Sequence, residues 1–245
     1  MLTSRGRAVA AFWTETMAEA QRNYHHGDLP DVLMAKALEE IDRVGVQGLS
    51  LRALARAAGV SATAPYRHFP SKRCLLAALA TRGFRLLHER VELEMNLLAP
   101  PPASDDLPAM REHLRRRLLT MGLAYLAFAE ENPTSYQLMF GAVVDDFSDY
   151  AALHDASKQS FAQLQSLLAA VIDSGGGRGL SLPELCGAVW SVVHGMADLT
   201  ANVTPPTSDD ERTMPAGSAP AQAMLAARRD RAAVLRALCY PLLDP

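Results

Sequence analysis

Apolar positions recur along most of the chain at three- and four-residue steps, the period of a helix face, and the alternation of a half-buried strand is nearly absent. Leu33, Ala37, Ile41 and Val44 form a first stripe, with Asp28 as its cap, Pro30 in its opening turn and Gly45 as its end. Ser50 is placed to cap a short second helix through Ala58, on which Leu51, Leu54 and Ala55 face inward, and Gly59 suits the left-handed conformation that ends a helix. Ser61 is expected to cap a third short helix reaching His68. Phe69-Pro70 then turns the chain, because proline disfavours helical backbone in the residue before it. Ser71 is expected to cap a long, apolar fourth helix to about Leu97.

Past a linker at 99–104 (APPPAS), the same periodicity predicts helices over 107–131, 133–141, 149–174 and 181–203, with GGGRG at 175–179 as a loop. Residues 204–220 are rich in Pro, Ser and Asp and are predicted to be a mobile loop, followed by a last helix from Ala221 to Leu238. The chain is therefore predicted to be all-α, in two parts. An arm at 1–22 precedes a helix-turn-helix domain at 23–80, and 81–245 forms a larger helical domain. The helix at 181–203 carries apolar residues at 185, 189, 192, 196, 199 and 203, and beside them a second row of Trp190, Val193, Ala197 and Ala201. Two apolar faces need two covers, so one is expected to meet a partner chain, as are Leu225, Val234, Leu235 and Leu238 of the last helix.

The chain has 245 residues, enough for a core without disulfide or metal, and 49% hydrophobic against 21% charged residues excludes wholesale disorder. No apolar run is long enough to span a membrane, and Arg5 and Arg7 are followed by Glu15 and Glu19 without the small-residue site of a signal peptide. Cys74, Cys186 and Cys239 are odd in number and far apart, which fits a reducing cytoplasm. The net charge of −3 conceals an asymmetry: eleven basic against six acidic residues over 22–90 give +5, whereas 91–245 carries −8. A basic N-terminal module on an acidic body points to a polyanion at one end.

A short helix, a glycine turn and a second short helix with a basic outer face have the shape that enters a major groove. An all-helical enzyme is the rival reading, but no phosphate loop, nucleophile elbow, paired-carboxylate motif or metal-ligand spacing occurs. His25 and His26 are adjacent, so they point apart, and no metal or cofactor is expected. A protein-interaction module is a second rival, which leaves residues 48–79 without a role.

Residues 48–79, GLSLRALARAAGVSATAPYRHFPSKRCLLAAL, resemble the DNA-binding domain of the TetR/AcrR family of bacterial transcriptional regulators. The resemblance rests on the R-x-L-A-x-x-A-G-V-S core, the aromatic-x-His-Phe ending and the Lys that opens the next helix, and it covers roughly 24–80. It implies a homodimeric regulator, a repressor more than an activator, that binds an inverted repeat of double-stranded DNA and answers to a small-molecule effector. It assigns Arg52 to a base edge or phosphate, and Ala62, Thr63 and Ala64 to bases. Tyr66 is assigned to phosphate and His68 to phosphate or packing; Arg67 points toward DNA, Lys72 adds charge at a phosphate-binding helix end, and Ser61 contacts phosphate besides capping. Arg22 on the arm would reach a neighbouring groove. Pro65 departs from the pattern, which has Leu there; lacking an N–H toward Ser61, it is expected to tighten the turn.

The run W-x-x-x-H-G at 190–195 resembles a C-terminal class of the family named for Trp-His-Gly. In such regulators the last two helices of each subunit form the dimer interface and an effector pocket lies in the helical domain. Candidate walls here are Met121, Tyr125, Phe128, Met139, Phe140, Phe161 and Trp190, with Met110 and Phe147 beside them. His194 borders the same set and reads equally as a hydrogen-bonded core histidine. Methionine adapts to varied apolar shapes, so a largely apolar effector is expected.

Overall fold

The structure is a computed structural model describing residues 29–103, 105–141, 149–201 and 218–244, and among these every regular element is helical. The chain divides into two compact units, Met1–Ser71 and Lys72–Pro245. The expectations for the arm at 1–22, for Asp28, His25 and His26, for Phe147 and for most of the 204–220 loop lie outside the described residues.

In the first unit, helix α1 spans Leu29–Gly48 and α2 spans Leu51–Ala57, and a 3₁₀ turn occupies Pro65–Arg67. Leu33, Ala37 and Ile41 bury the inner stripe of α1, joined by Leu49, Leu51, Leu54, Ala55 and Phe69 in one small core. Val44 was expected to extend that stripe, yet it is 38% exposed. One residue on, Gly45 adopts φ +73°, which ends the first run of helix as expected, and a further short helical stretch continues beyond the kink to Gly48. Gly59, at φ +67°, ends α2 in the left-handed conformation. Ser50 has the extended backbone of a cap, but its side chain makes no capping hydrogen bond.

The second unit consists of α3 (Lys72–Asn96), α4 (Leu107–Glu131), α5 (Pro133–Phe140), α6 (Ala151–Asp173), α7 (Leu182–Ala201), α8 (Ala219–Arg229) and α9 (Arg231–Cys239), closed by a 3₁₀ turn at Tyr240–Leu243. Helix α3 packs against α4, α5 and α6, while α7 and α9 pack on α4. Starts are set by polar caps: Asp106 accepts from Ala109 N at 3.0 Å, and Glu184 accepts from both N and Oγ of Ser181 at 2.8 and 2.6 Å. The expected single last helix is two. Asp230 interrupts it at φ −133°, ψ 66° and accepts from Ala233 N at 3.0 Å, capping α9 rather than continuing α8. Both broken ends are tied to α4, because Arg228 and Arg231 pair with Glu130. On the neighbouring residue, Glu131 pairs with Arg90 of α3 at 2.9 Å. The two arginines hold the Glu130 carboxyl below its ordinary value against the opposing effect of its partial burial.

The GGGRG turn places Gly175, Gly177 and Gly179 at positive φ, and Arg178 with them at φ 51°. It also fastens the end of the chain: Arg178 N donates to Asp244 O at 3.3 Å, and Arg115 pairs with the Asp244 carboxylate. Arg111 donates to Ser174 O through Nε and Nη2 at 3.1 and 2.9 Å. No described helix is long and apolar enough to cross a membrane.

Candidate nucleic-acid interface and regulatory cavity

Residues 61–68 were expected to be a capped α-helix, and Pro65 explains why they are not. Without an N–H it makes no bond back to Ser61 O, so the chain closes three-residue rings instead. Ala64 N donates to Ser61 O at 3.0 Å, Tyr66 N to Thr63 O at 3.2 Å, Arg67 N to Ala64 O at 3.2 Å and His68 N to Pro65 O at 3.1 Å. Pro65 itself is buried, as is Phe69, and these two hold the turn to the unit's core. The Ser61 hydroxyl lies 3.3 Å from the Thr63 hydroxyl.

Ser61, Ala62, Thr63, Tyr66, Arg67 and His68 are exposed, and so is Arg52 in the first turn of α2; Ala64 is half-buried. Tyr66 is 43% exposed, more than packing of its ring requires. No Asp or Glu occurs between Ser50 and Ser71, whereas Arg52, Arg56 and Arg67 do. The first unit thus offers an aromatic hydroxyl, small side chains and guanidinium groups free of acidic neighbours in sequence, a surface that suits a phosphate backbone and base edges. Lys72, half-buried, is the first residue of α3 and belongs to the second unit.

Within the second unit an approximately 870 Å³ cavity opens among α3, α4, α5, α6, α7 and α9. Six of the expected wall residues line it: Met121, Tyr125, Met139, Phe140, Phe161 and Trp190. Phe128, one turn beyond Tyr125 on α4, is buried off its wall, and Met110 also lies elsewhere. His194 is likewise not on the wall but stands behind it: the Tyr125 and Tyr136 hydroxyls each lie 2.8 Å from its Nδ1, and its Nε2 faces Asp198 at 3.6 Å. With the ring proton on Nε2, Nδ1 accepts from Tyr136 while Tyr125 donates to the Tyr136 hydroxyl across 3.3 Å. Burial pushes both phenols well above their ordinary range, so they stay protonated donors. Around them the rings interlock, Phe140 meeting His194 at 4.8 Å and Tyr136 at 5.0 Å, and Trp190 meeting His194 at 5.2 Å.

The wall residues that sequence pattern missed come mostly from elsewhere in the fold. Phe84, Leu87 and Val91 line the cavity from α3, Leu235 and Cys239 from α9, and, Phe161 apart, Ser157 to Gln165 from α6. The α3 set has helical spacing and was readable as a face; which face met a cavity was not. Burial holds the Cys239 thiol up at about 11, so it behaves as a small apolar wall group.

Residues 33–79 match the family model described as bacterial regulatory proteins, tetR family, and residues 118–214 match the one described as tetracyclin repressor-like, C-terminal domain. That second description does not name the Trp-His-Gly class. The tetracycline repressor protein class A from transposon 1721 of Escherichia coli is 39% identical over 77 residues, 31% of this chain and 32% of that protein. The chain therefore matches about a third of that relative's length. Among solved structures, a protein with unknown function from Rhodococcus sp. RHA1 has a TM-score of 0.63 at 27% identity, covering 89% of this chain and 98% of the other. The TetR family transcriptional regulator PfmR from Thermus thermophilus gives 0.51 at 20% identity, covering 80% and 97%. The fatty acid degradation regulator FadR from Bacillus halodurans gives 0.55 at 15% identity, covering 89% and 96%; these last two likenesses concern the fold.

Proposed function

The chain belongs to the TetR family of bacterial transcriptional regulators, and we propose that it acts as a homodimeric repressor whose hold on an inverted-repeat operator is released by a small, largely apolar effector. It is a DNA-binding regulator and not an enzyme. The reading is carried by one observation: Phe84, Leu87 and Val91 of α3, the helix that begins where the first unit ends, are wall residues of the cavity. An occupant of the cavity touches the helix to which the DNA reader is joined. For release, the effector must bind the DNA-incompetent arrangement more tightly than the competent one, since equal affinity for both shifts nothing.

Direct contacts from Arg52, Thr63 and Tyr66, with Ser61, Ala62, Ala64, Arg67 and His68 beside them, carry the operator contact in this reading. Lys72 adds a phosphate contact. Lys72→Ala is expected to weaken binding to all duplex sequences alike and to reduce the slope of log K against log salt by about one. Equal slopes for the variant and the parent in a salt titration followed by fluorescence anisotropy would remove Lys72 from the interface.

Dimerisation through α7 and the last helices is supported by a row of small or exposed side chains on α7. Gly187, Ser191, Gly195 and Leu199 lie at four-residue spacing; Leu199 is 47% exposed, and Leu238 on α9 is 49% exposed. Beyond its neighbours and the backbone of its own helix turns, a Cβ added at Gly187 or Gly195 meets nothing within 4 Å. Gly195→Leu is therefore expected to leave the helical content intact while raising the dimer dissociation constant at least about tenfold, an estimate from the cost of overpacking a helix contact. Sedimentation equilibrium measures this, and an unchanged dimer would place the partner chain on another face.

A further inference from the structure

The chemistry of the cavity wall narrows the effector to a class. Among the described lining residues there is a single formal charge, Lys158 on α6, and neither Asp, Glu nor Arg. Ser157, Gln159 and Ser160 flank it on the same stretch of helix, and Lys158 and Gln159 are exposed, which makes this stretch the wet lip of an otherwise apolar space. Two of the polar groups deeper in the wall, Tyr125 and Gln163, are already engaged. The Tyr125 hydroxyl donates to that of Tyr136, and the Gln163 amide donates to His88 O at 3.2 Å.

We propose that the effector is an apolar monocarboxylate, its hydrocarbon body in the cavity and its carboxylate at Lys158; this rests on the reading of the cavity as the effector site. A cationic amphiphile finds no carboxylate on the wall to pair with. A di- or triphosphate has one ammonium group to meet on the wall, so its further charges gain nothing there that water does not supply. A wholly neutral molecule gains the same apolar contact but nothing from Lys158, so charge is what separates these classes. The volume, about 870 Å³, lies in the upper part of the range typical of small-molecule sites and admits either an extended acyl chain or a fused-ring body. Lys158 is at the lip rather than buried, so the pairing is partly screened and sets preference more than total affinity.

Equilibrium dialysis of the full-length chain against dodecanoate, dodecanol and dodecyltrimethylammonium, and against 1-pyrenebutyrate and 1-pyrenebutanol, tests this. The expected result is at least about threefold tighter binding of the carboxylates than of their neutral or cationic counterparts, a preference abolished by Lys158→Gln. The acyl and pyrene arms show which body the cavity prefers. Carboxylate preference that survives Lys158→Gln, equal binding across the charge series, or binding of no probe to folded protein would overturn the proposal. Leu119→Trp, which intrudes on the cavity from a half-buried wall position, separates the two layers: it should reduce binding of every probe. If all probes bind Leu119→Trp as they bind the parent, the cavity reading itself fails; if Leu119→Trp blocks them but no charge preference exists, only the assignment of class fails. A thermal melt showing parental helicity qualifies each variant.

Discussion

An Arg52→Ala/Tyr66→Ala variant is expected to bind its operator roughly 30- to 1000-fold more weakly than the parent while melting at nearly the same temperature. Both side chains are exposed on the first unit, so removing them takes little from its core of Leu33, Ala37, Leu54, Pro65 and Phe69. In the proposed reading they contribute contact with DNA: about 1–3 kcal/mol for a guanidinium on a base edge, and a phosphate anchor from the phenol that fixes the turn's register. The sum, about 2–4 kcal/mol, is the range given above in fold-change. Electrophoretic mobility shift and anisotropy titrations at two salt concentrations measure it. Parental affinity in the double variant would mean that the 3₁₀ turn does not face DNA.

Gly176→Ala is expected to cost about 1–3 kcal/mol and to lower the melting temperature by roughly 2–12 °C. A Cβ at Gly176 would stand 2.5 Å from the carbonyl oxygen of Leu243 and 3.1 Å from that of Val171, both backbone atoms that no rotamer change moves aside. Relief requires the terminal 3₁₀ turn to lift off the GGGRG loop, which weakens the Arg115–Asp244 pair and the bond from Arg178 N to Asp244 O. Tyr240 and Cys239 belong to the cavity wall, so effector affinity should fall with stability. Calorimetry of the variant reads the first effect and dialysis the second; an unchanged melt would show that the chain end gives way without loss.

Local chemistry was legible wherever one residue decides it. Gly59 ends α2, and Pro65 signals a tightened turn from the missing N–H alone; the structure carries that to a full 3₁₀ turn where a short helix was expected. Helical periodicity located α3 to α7 within about two residues, because each has an apolar face long enough to count. The break at Asp230 was not legible in that way. Ala-rich sequence runs through it, and only the carboxylate acting as a cap for Ala233 N, with Arg228 and Arg231 drawn to Glu130, splits the helix. In the same way, Met121 and Tyr125 share a stripe that could be read, whereas Leu235 and Cys239 reach the cavity through packing between α9 and α4, which no local pattern encodes. Phe128 shows the converse: the right residue type at the right spacing, buried off the wall.

Selection of bound sequences from random duplex DNA, with the parent and the Arg52→Ala/Tyr66→Ala variant run side by side, tests the central claim most directly. Two symmetry-related readers require two half-sites, so the parent should enrich an inverted repeat with its half-sites about one helical turn apart, or a multiple of it, and the variant should not. Failure of a dimeric, refolded and ligand-stripped parent to enrich any sequence, or enrichment of the same repeat by the variant, would contradict the account.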